Sequence, residues 1–462
     1  VIDQDVVQRV LGRALRSGGD FAEVFAEDRV SSSARLEDGR VEELTSGHDR
    51  GVGIRVVAGE LTGFAHTADL SEAGLLAAAE VAAAAAKGGK GGAPTELTRR
   101  PVTPGDIRLQ PSDVAKADKV ALLRRAEEAA RGAGGPSIRQ VMVSLADNRR
   151  RFLVANSDGV LAEDDQTRTR FMVQAVASGD TGLQTGHEII ARSEGWELFD
   201  VHVPEEVAAE AVRRARLKLG ARPAPSGALP VVIAAGIGGV LFHEACGHGL
   251  EADLVDKDAS VFAGRMGTQV ASPLVTVVDD GSMAREWGHL AIDDEGHPTQ
   301  RNVLIQDGIL TELMWDHLRA TKHGRGGTGN GRRQTYRHLP MVRMTNTYLE
   351  AGTGDPEDII ASTPRGVYVK QLTGGQVNTA TGDFVFGMGE SYLIEDGRIT
   401  EPLREGNLIG NGPEVLRTID AVASDVAMGI GGGMCGKDGQ SVPVGVGQPT
   451  LRVASMTVGG TA

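Results

Sequence analysis

The segment Phe242-His243-Glu244-Ala245-Cys246-Gly247-His248-Gly249 places two imidazoles around a carboxylate and reads HExxxH. These are the parts of a metal-dependent hydrolase, in which the rings hold the ion and the carboxylate handles a water proton. A metallopeptidase helix normally spaces its two histidines four apart, so that both rings project from one face. Here the spacing is five. On a regular α-helix that swings the second ring roughly 140° from the first. A one-residue π-bulge restores the alignment, and such bulges occur mainly at functional sites. Gly247, just before the second histidine, makes a local distortion cheaper. The plain alternative is two partly buried histidines satisfied by backbone carbonyls, with Glu244 as a helix-surface carboxylate.

A catalytic zinc takes three protein ligands and keeps one position open for water. The chain has only two cysteines, Cys246 and Cys435. Cys435 sits in Gly431-Gly-Gly-Met-Cys-Gly-Lys437, where glycines let the backbone approach another element closely. Cys246 competes for the role, although a residue between the two histidines on a short bulged helix is less able to complete a tetrahedron with both. Either could instead be a small buried hydrophobe. His289, His297, His317, His323 and His338 are scattered and show no ligand spacing.

Positioning such a site takes a sizeable fold. A chain of 462 residues exceeds what one core usually serves, so two domains are expected. The 40% apolar and 24% charged content is that of a globular protein, and 63 glycines point to many turns. A net charge of −14 disfavours nucleic acid or anionic lipid as the main partner. The strings Arg149-Arg150-Arg151 and Arg332-Arg333 read as solvated faces or salt-bridge partners. Two cysteines offer no disulfide framework and fit a reducing compartment. The apolar runs Val231 to Phe242 and Ala73 to Ala86 are too short to span a bilayer. The N-terminus opens on an amphipathic pattern rather than a basic-then-apolar leader.

Periodicity predicts a helix from Asp3 to Arg16, then strands Ala22 to Glu27, Ser31 to Glu37, Val41 to Thr45, Gly51 to Val57 and Leu61 to His66. An Ala-rich helix follows from Ser71 to Lys87, and residues 88–105 read as a flexible connection. The pattern then partly repeats. Ser112 to Arg131 is a helix, Arg139 to Leu145, Phe152 to Asn156 and Arg170 to Ser178 are strands, and Glu205 to Leu219 is a helix, suggesting an internal duplication. The expected fold class is α+β: an N-terminal domain (1–221) of helices and antiparallel strands, like an α/β sandwich, and a C-terminal, mostly β domain (231–462) carrying the HExxxH helix. Between them the proline-rich 222–230 is read as a linker, since its prolines disfavour helix and strand alike.

The HExxxH segment with its continuation Gly249-Leu-Glu-Ala-Asp253 resembles the signature helix of the TldD/PmbA metallopeptidase family, in its active TldD-like branch. The likeness extends through Asp293-Asp-Glu-Gly-His-Pro-Thr-Gln300, Thr328-Gly-Asn-Gly-Arg-Arg333, Arg343-Met-Thr-Asn-Thr-Tyr348 and Gly374-Gly-Gln376. It continues through Ile409-Gly-Asn-Gly-Pro413 and Cys435-Gly-Lys-Asp-Gly-Gln-Ser-Val-Pro-Val-Gly-Val-Gly-Gln-Pro449. Leu36-Glu-Asp-Gly39 and Arg50-Gly-Val-Gly-Ile-Arg55 carry it more loosely into the first half.

The resemblance implies a cytoplasmic zinc peptidase acting on unfolded or extended peptides, including leader and propeptide removal. It implies zinc ligands at His243, His248 and Cys435, with Glu244 catalytic and Cys246 at a variable position. It also implies pairing, with a second copy or with an inactive TldE/PmbA-like homologue. On this reading Glu244 takes a proton from water activated by the zinc and delivers it to the leaving amine. Arg332, Arg333 and Tyr348 lie in distinctive segments and are as well explained by structural roles. Three rival readings remain: a structural zinc-binding assembly subunit without its own activity, a metal hydrolase of non-peptide substrates, and a nucleotide-binding enzyme. The last rests on Gly236-Ile-Gly-Gly239, which lacks the third glycine of a dinucleotide fingerprint.

Overall fold

A computed structural model describes residues 2–103 and 105–460. Val1, Pro104, Thr461 and Ala462, which fall within the expected domains and connection, lie outside the described residues. The first half begins with helix α1 (Gln4–Leu15), capped by the Asp3 carboxylate, which accepts from the Asp5 and Val6 amides. Three antiparallel strands follow, β1 (Phe21–Glu37), β2 (Arg40–Ala58) and β3 (Leu61–Thr67), and then α2 (Glu72–Ala85), capped by Ser71. Residues 88–105 contain a two-residue strand, β4 (Thr98–Arg99), paired in parallel with a later strand. A second round comprises α3 (Lys116–Gly134), β5 (Ile138–Asn156), β6 (Val160–Gly179), β7 (Gly182–Arg192), the short α4 (Leu198–Val201) and α5 (Pro204–Leu219).

The six long strands form one sheet in the order β3-β2-β1-β5-β6-β7, with β1 and β5 at its centre. This is the arrangement a duplication would produce. The two halves also share a packing device. A Cβ at Gly63 in edge strand β3 would lie 2.0 Å from Ala82 O of α2, and one at Gly186 in edge strand β7 would lie 2.2 Å from Ala211 O of α5. Only glycine lets a helix rest directly on an edge strand at either position.

Several predicted strands are halves of longer ones. Ala22 to Glu27 and Ser31 to Glu37 are a single strand, as are Arg139 to Leu145 and Phe152 to Asn156. The charged stretches between them resemble turns, but they are paired strand. Arg150 bonds Glu27 at 2.6 Å and Arg151 bonds Asp28 at 2.9 Å across the central pair. Alternation sends Val24, Ala26, Val52, Ile54 and Val56 towards α1 and α2. It sends Glu23, Phe25 and Glu27 to the other face, which packs on the second half through Ile292 and Tyr336.

The proline-rich 222–230 is strand on either side of residues 224–226. Arg222–Pro223 (β8) is a two-residue edge strand, and β9 (Gly227–Ile233) starts inside the expected linker. The expected conflict with proline is avoided at Pro230, which falls where the register of β9 against strand 451–460 shifts between Val231↔Val453 and Leu229↔Met456. Strands 365–377, β9, 451–460, 406–411 and 383–395 pair in turn, and the last pairs back to the first, closing a ring. A second sheet contains strands 277–280, 301–306, 346–349 and 440–448, with strand Gly433–Lys437 hairpinned onto the last. The main apolar core of this half lies between the two sheets and includes Phe242 and Ala245. No helix of the described residues is long and apolar enough to cross a membrane.

Candidate metal centre

The chain leaves β9 through Gly236–Gly239 and enters a short helical segment. Residues Val240–Phe242 are α-helical, His243–Gly247 form one π-helical turn, and His248–Leu250 tighten to 3-10 geometry. The π turn is what a five-residue histidine spacing requires if both rings are to meet one ion. The rings are 4.9 Å apart, at 83° to each other. Gly247 serves this turn differently from the sequence expectation. Its φ of −52° and ψ of −55° are ordinary helical values, so it relieves no distortion. A Cβ there would lie 2.2 Å from Met344 Sδ, so the glycine is a packing requirement. Gly247→Ala is expected to cost about 1–3 kcal/mol of stability through overpacking, measured by urea unfolding. A variant as stable as wild type would show that Met344 yields freely.

The third group arrives from the far end of the domain. Cys435, on strand Gly433–Lys437, places its sulfur 3.2 Å from Nε2 of His243 and 3.2 Å from Nε2 of His248. The three ligand atoms all lie within 4.8 Å of one another. Burial opposes ionisation of the Cys435 thiol, but the two imidazoles overcome it and bring the thiol down to about 4. Cys246 is not part of this group. Its sulfur donates to Phe242 O at 3.2 Å, and burial pushes its thiol up to about 12. Two imidazole nitrogens and an easily ionised thiol form a donor set suited to zinc, with a ligand position to spare.

Glu244 lines the same cavity as His243, His248 and Cys435, a cleft of about 600 Å³. Burial foremost pushes its carboxyl up, against the pull of the two histidines. A carboxylate in this position, free of any ion pair among the described residues, suits general-base work.

An outer layer, which sequence reasoning left without roles, fixes His248. Its Nδ1 lies 3.3 Å from Glu251 Oε2. Lys437 Nζ donates to that same oxygen at 2.9 Å, to Asp253 Oδ1 at 2.7 Å and to Val342 O at 3.1 Å. Burial opposes the Glu251 charge, but His248 and Lys437 hold its carboxyl down to about 2. A carboxylate on the second ring nitrogen orients a metal-ligating histidine and sharpens its affinity. The available signal was spacing: Glu251 follows His248 by three residues, and Lys437 follows Cys435 by two on a strand, which returns it to the same side. Arg343, also buried, donates to Cys435 O and to Gln440 O, bracing the hairpin. His243 Nδ1 is buried and has no partner among the described residues.

Arg332 donates to Met344 O and, at 2.8 Å, to Pro443 O, tying the segment behind the site to the hairpin strand. Arg333 bonds Glu23 of the first half, and Tyr348 lies in strand 346–349 opposite Val278. The scattered histidines stay away from the centre, although His297 and His317 stack on each other, with Nε2 3.3 Å from Nδ1.

Two histidines and a cysteine converge beside a carboxylate on an open cleft, a group that could hold a metal ion. Family models agree: the PmbA/TldA metallopeptidase domain 1 matches residues 22–86, the central domain 109–219 and the C-terminal domain 226–460. The chain is 42% identical over 450 residues to a metalloprotease TldD homolog of Haemophilus influenzae, covering 96% of this chain and 93% of that one. It is 30% identical over 328 residues to a zinc metalloprotease TldD homolog of Saccharolobus solfataricus, covering 70% of this chain and 72% of that one. Its fold matches the crystal structure of TldE from Thermococcus kodakarensis with a TM-score of 0.78 at 19% identity, over 98% of this chain and 100% of the other. The chain belongs to the PmbA/TldD metallopeptidase family.

Proposed function

We propose that the protein is a zinc peptidase cleaving unfolded or extended peptides, with His243, His248 and Cys435 as ligands and Glu244 as the general base. The observation that carries this reading is Glu244 facing the same open cleft as a three-ligand His/His/Cys group. A zinc ion held there supplies Lewis acidity, easing deprotonation of water and polarising the scissile carbonyl. Glu244 accepts the proton of the attacking water on its carboxylate and later delivers it to the leaving amine nitrogen. Glu251 and Lys437 keep the His248 ring in place throughout. The alternative, a structural zinc subunit without activity, calls for a site closed by a fourth protein ligand. The cluster among the described residues has three.

The shape of the cleft supports an extended substrate. A second cavity of about 620 Å³ adjoins the metal cavity, and the two share Ile237, Val240, Gly374, Gly432 and Gly433. Walls rich in glycine present backbone rather than side chains, which suits recognition of main chain with loose sequence preference. The same reading seats a second copy, or a homologous inactive chain, over the open side, next to the exposed Met434 and Ile430.

Access is the testable consequence. One protein offered both folded and as a permanently unfolded variant is expected to be cut only in the unfolded form, read by gel or mass spectrometry. Equal rates for the two forms would overturn the proposed substrate class.

A further inference from the structure

Of the arginine strings read from sequence as solvated faces or salt-bridge partners, four members make ion pairs, and Arg150, Arg332 and Arg333 are buried. Arg150, Arg332 and Arg333 lie between the first half's sheet and the second half, together with Arg168. With Arg29 they line a cavity of about 100 Å³, whose wall has a single carboxylate, Asp294. Three of the five arginines belong to the first half, on β1, β5 and β6, and two to the second.

The countercharge is short. Arg150 bonds Asp294 at 2.7 Å, but Glu27 is shared between Arg150 and Arg29, and Glu23 between Arg333 and Arg55. Arg168 and Arg332 make no ion pair among the described residues. Arg168 donates to the carbonyls of Trp287 and His289 and to Gln166 Oε1, and it reaches Asp164 only through Gln166, whose Nε2 donates to that carboxylate. Nη2 of Arg150 and both Nε and Nη1 of Arg333 are buried without a hydrogen-bond partner, although these residues are only 6% and 1% exposed. Stacking of both guanidinia on Phe25 accounts for part of this burial. Stacking satisfies no N–H. Burial, and then the facing guanidinia of Arg332 and Arg150, weaken the hold of Arg168 on its own proton. Unpaired buried cations of this kind are costly unless something neutralises them.

We infer that this cavity is an oxyanion site that takes a carboxylate or phosphate group and clamps the two halves of the molecule together. Its volume is several times the roughly 10–15 Å³ that a single water requires, which leaves room for a group larger than water. Guanidinia in a rigid array match oxyanions in charge and hydrogen-bond geometry. The mouth is formed by Arg29, Asn148, Gln334, Met434 and Ser441, which keep partial or full exposure. Met434, the residue before Cys435 on its strand, also lines the metal cavity. The anion can therefore be free, or it can be the carboxylate of a peptide lying across that strand.

The test reads binding without cleavage. Inorganic phosphate and acetate are titrated separately into the zinc-loaded full chain, with chloride at matched ionic strength as reference, following the melting temperature and the calorimetric heat. The expected result is a saturable rise in melting temperature with phosphate or acetate. Binding is expected to be about tenfold weaker in Arg168→Gln and in Arg332→Gln. Two separate variants and the wild-type titration keep the test valid if one variant misfolds. Melting that tracks ionic strength alone, or variants that bind as wild type does, would overturn the site. Peptides differing only by Glu against Gln separate the sources. Phosphate that raises KM for the Glu peptide alone assigns a substrate carboxylate, and an equal response of both peptides assigns a free anion.

Discussion

Glu244→Gln is expected to keep about one zinc per chain while lowering peptide cleavage by roughly two to four orders of magnitude, the usual worth of a general base. The argument is geometric. Glu244 bonds none of the three metal-facing side chains, so removing its charge leaves the His243, His248 and Cys435 arrangement intact. The amide has nearly the same shape and cannot accept a proton, so the loss should fall on turnover. Metal analysis and cleavage rates measured on the same preparation separate the outcomes. Cleavage undiminished in the variant would remove Glu244 from the chemistry, and a matching loss of zinc would make it a ligand.

Cys435→Ala is expected to lose zinc and activity together, while Cys246→Ala keeps both. One sulfur sits 3.2 Å from both histidine nitrogens, and the other donates to Phe242 O within its own helix turn. Losing an outer partner of a metal ligand costs roughly 10–100-fold in affinity, and losing a ligand itself should cost more. Equilibrium dialysis against a chelator buffer gives the measurement. Full occupancy in Cys435→Ala with loss in Cys246→Ala would reverse the assignment of the third ligand.

The parts of this molecule that could be read from sequence are the local ones. His243, Glu244 and His248 lie within one turn, and their five-residue spacing already demanded the π geometry that the helix adopts. Cys435 was harder, because nothing local tells which cysteine a fold will bring to a distant helix. Glu251, Lys437 and Arg343 sit in recognisable segments, yet their work depends on contacts between those segments. The fold was misread where charge replaced apolar alternation. Asp147 to Arg151 looks like a turn in isolation and is the centre of a 19-residue strand, because its partners across the sheet supply the opposite charges. β7 was missed for a related reason: Gly182, Gly186 and several polar residues mask a strand whose glycine is there to receive α5. Pro230 shows that a proline marks a linker only when no bulge is available to hold it.

The centre joins the start of the second half to a hairpin near its end, His248 and Cys435 being 187 positions apart. A chain emerging from the ribosome at about 5–20 residues per second exposes the histidine helix roughly 10–40 s before the sulfur that completes the set. Through that interval the second half is incomplete, and its strands still waiting for partners are the kind of material the proposed enzyme would cut. It carries no finished cutting centre of its own until the last layer of the second sheet has docked. On the proposed function, the order of synthesis would itself keep a newborn copy from cutting its own chain.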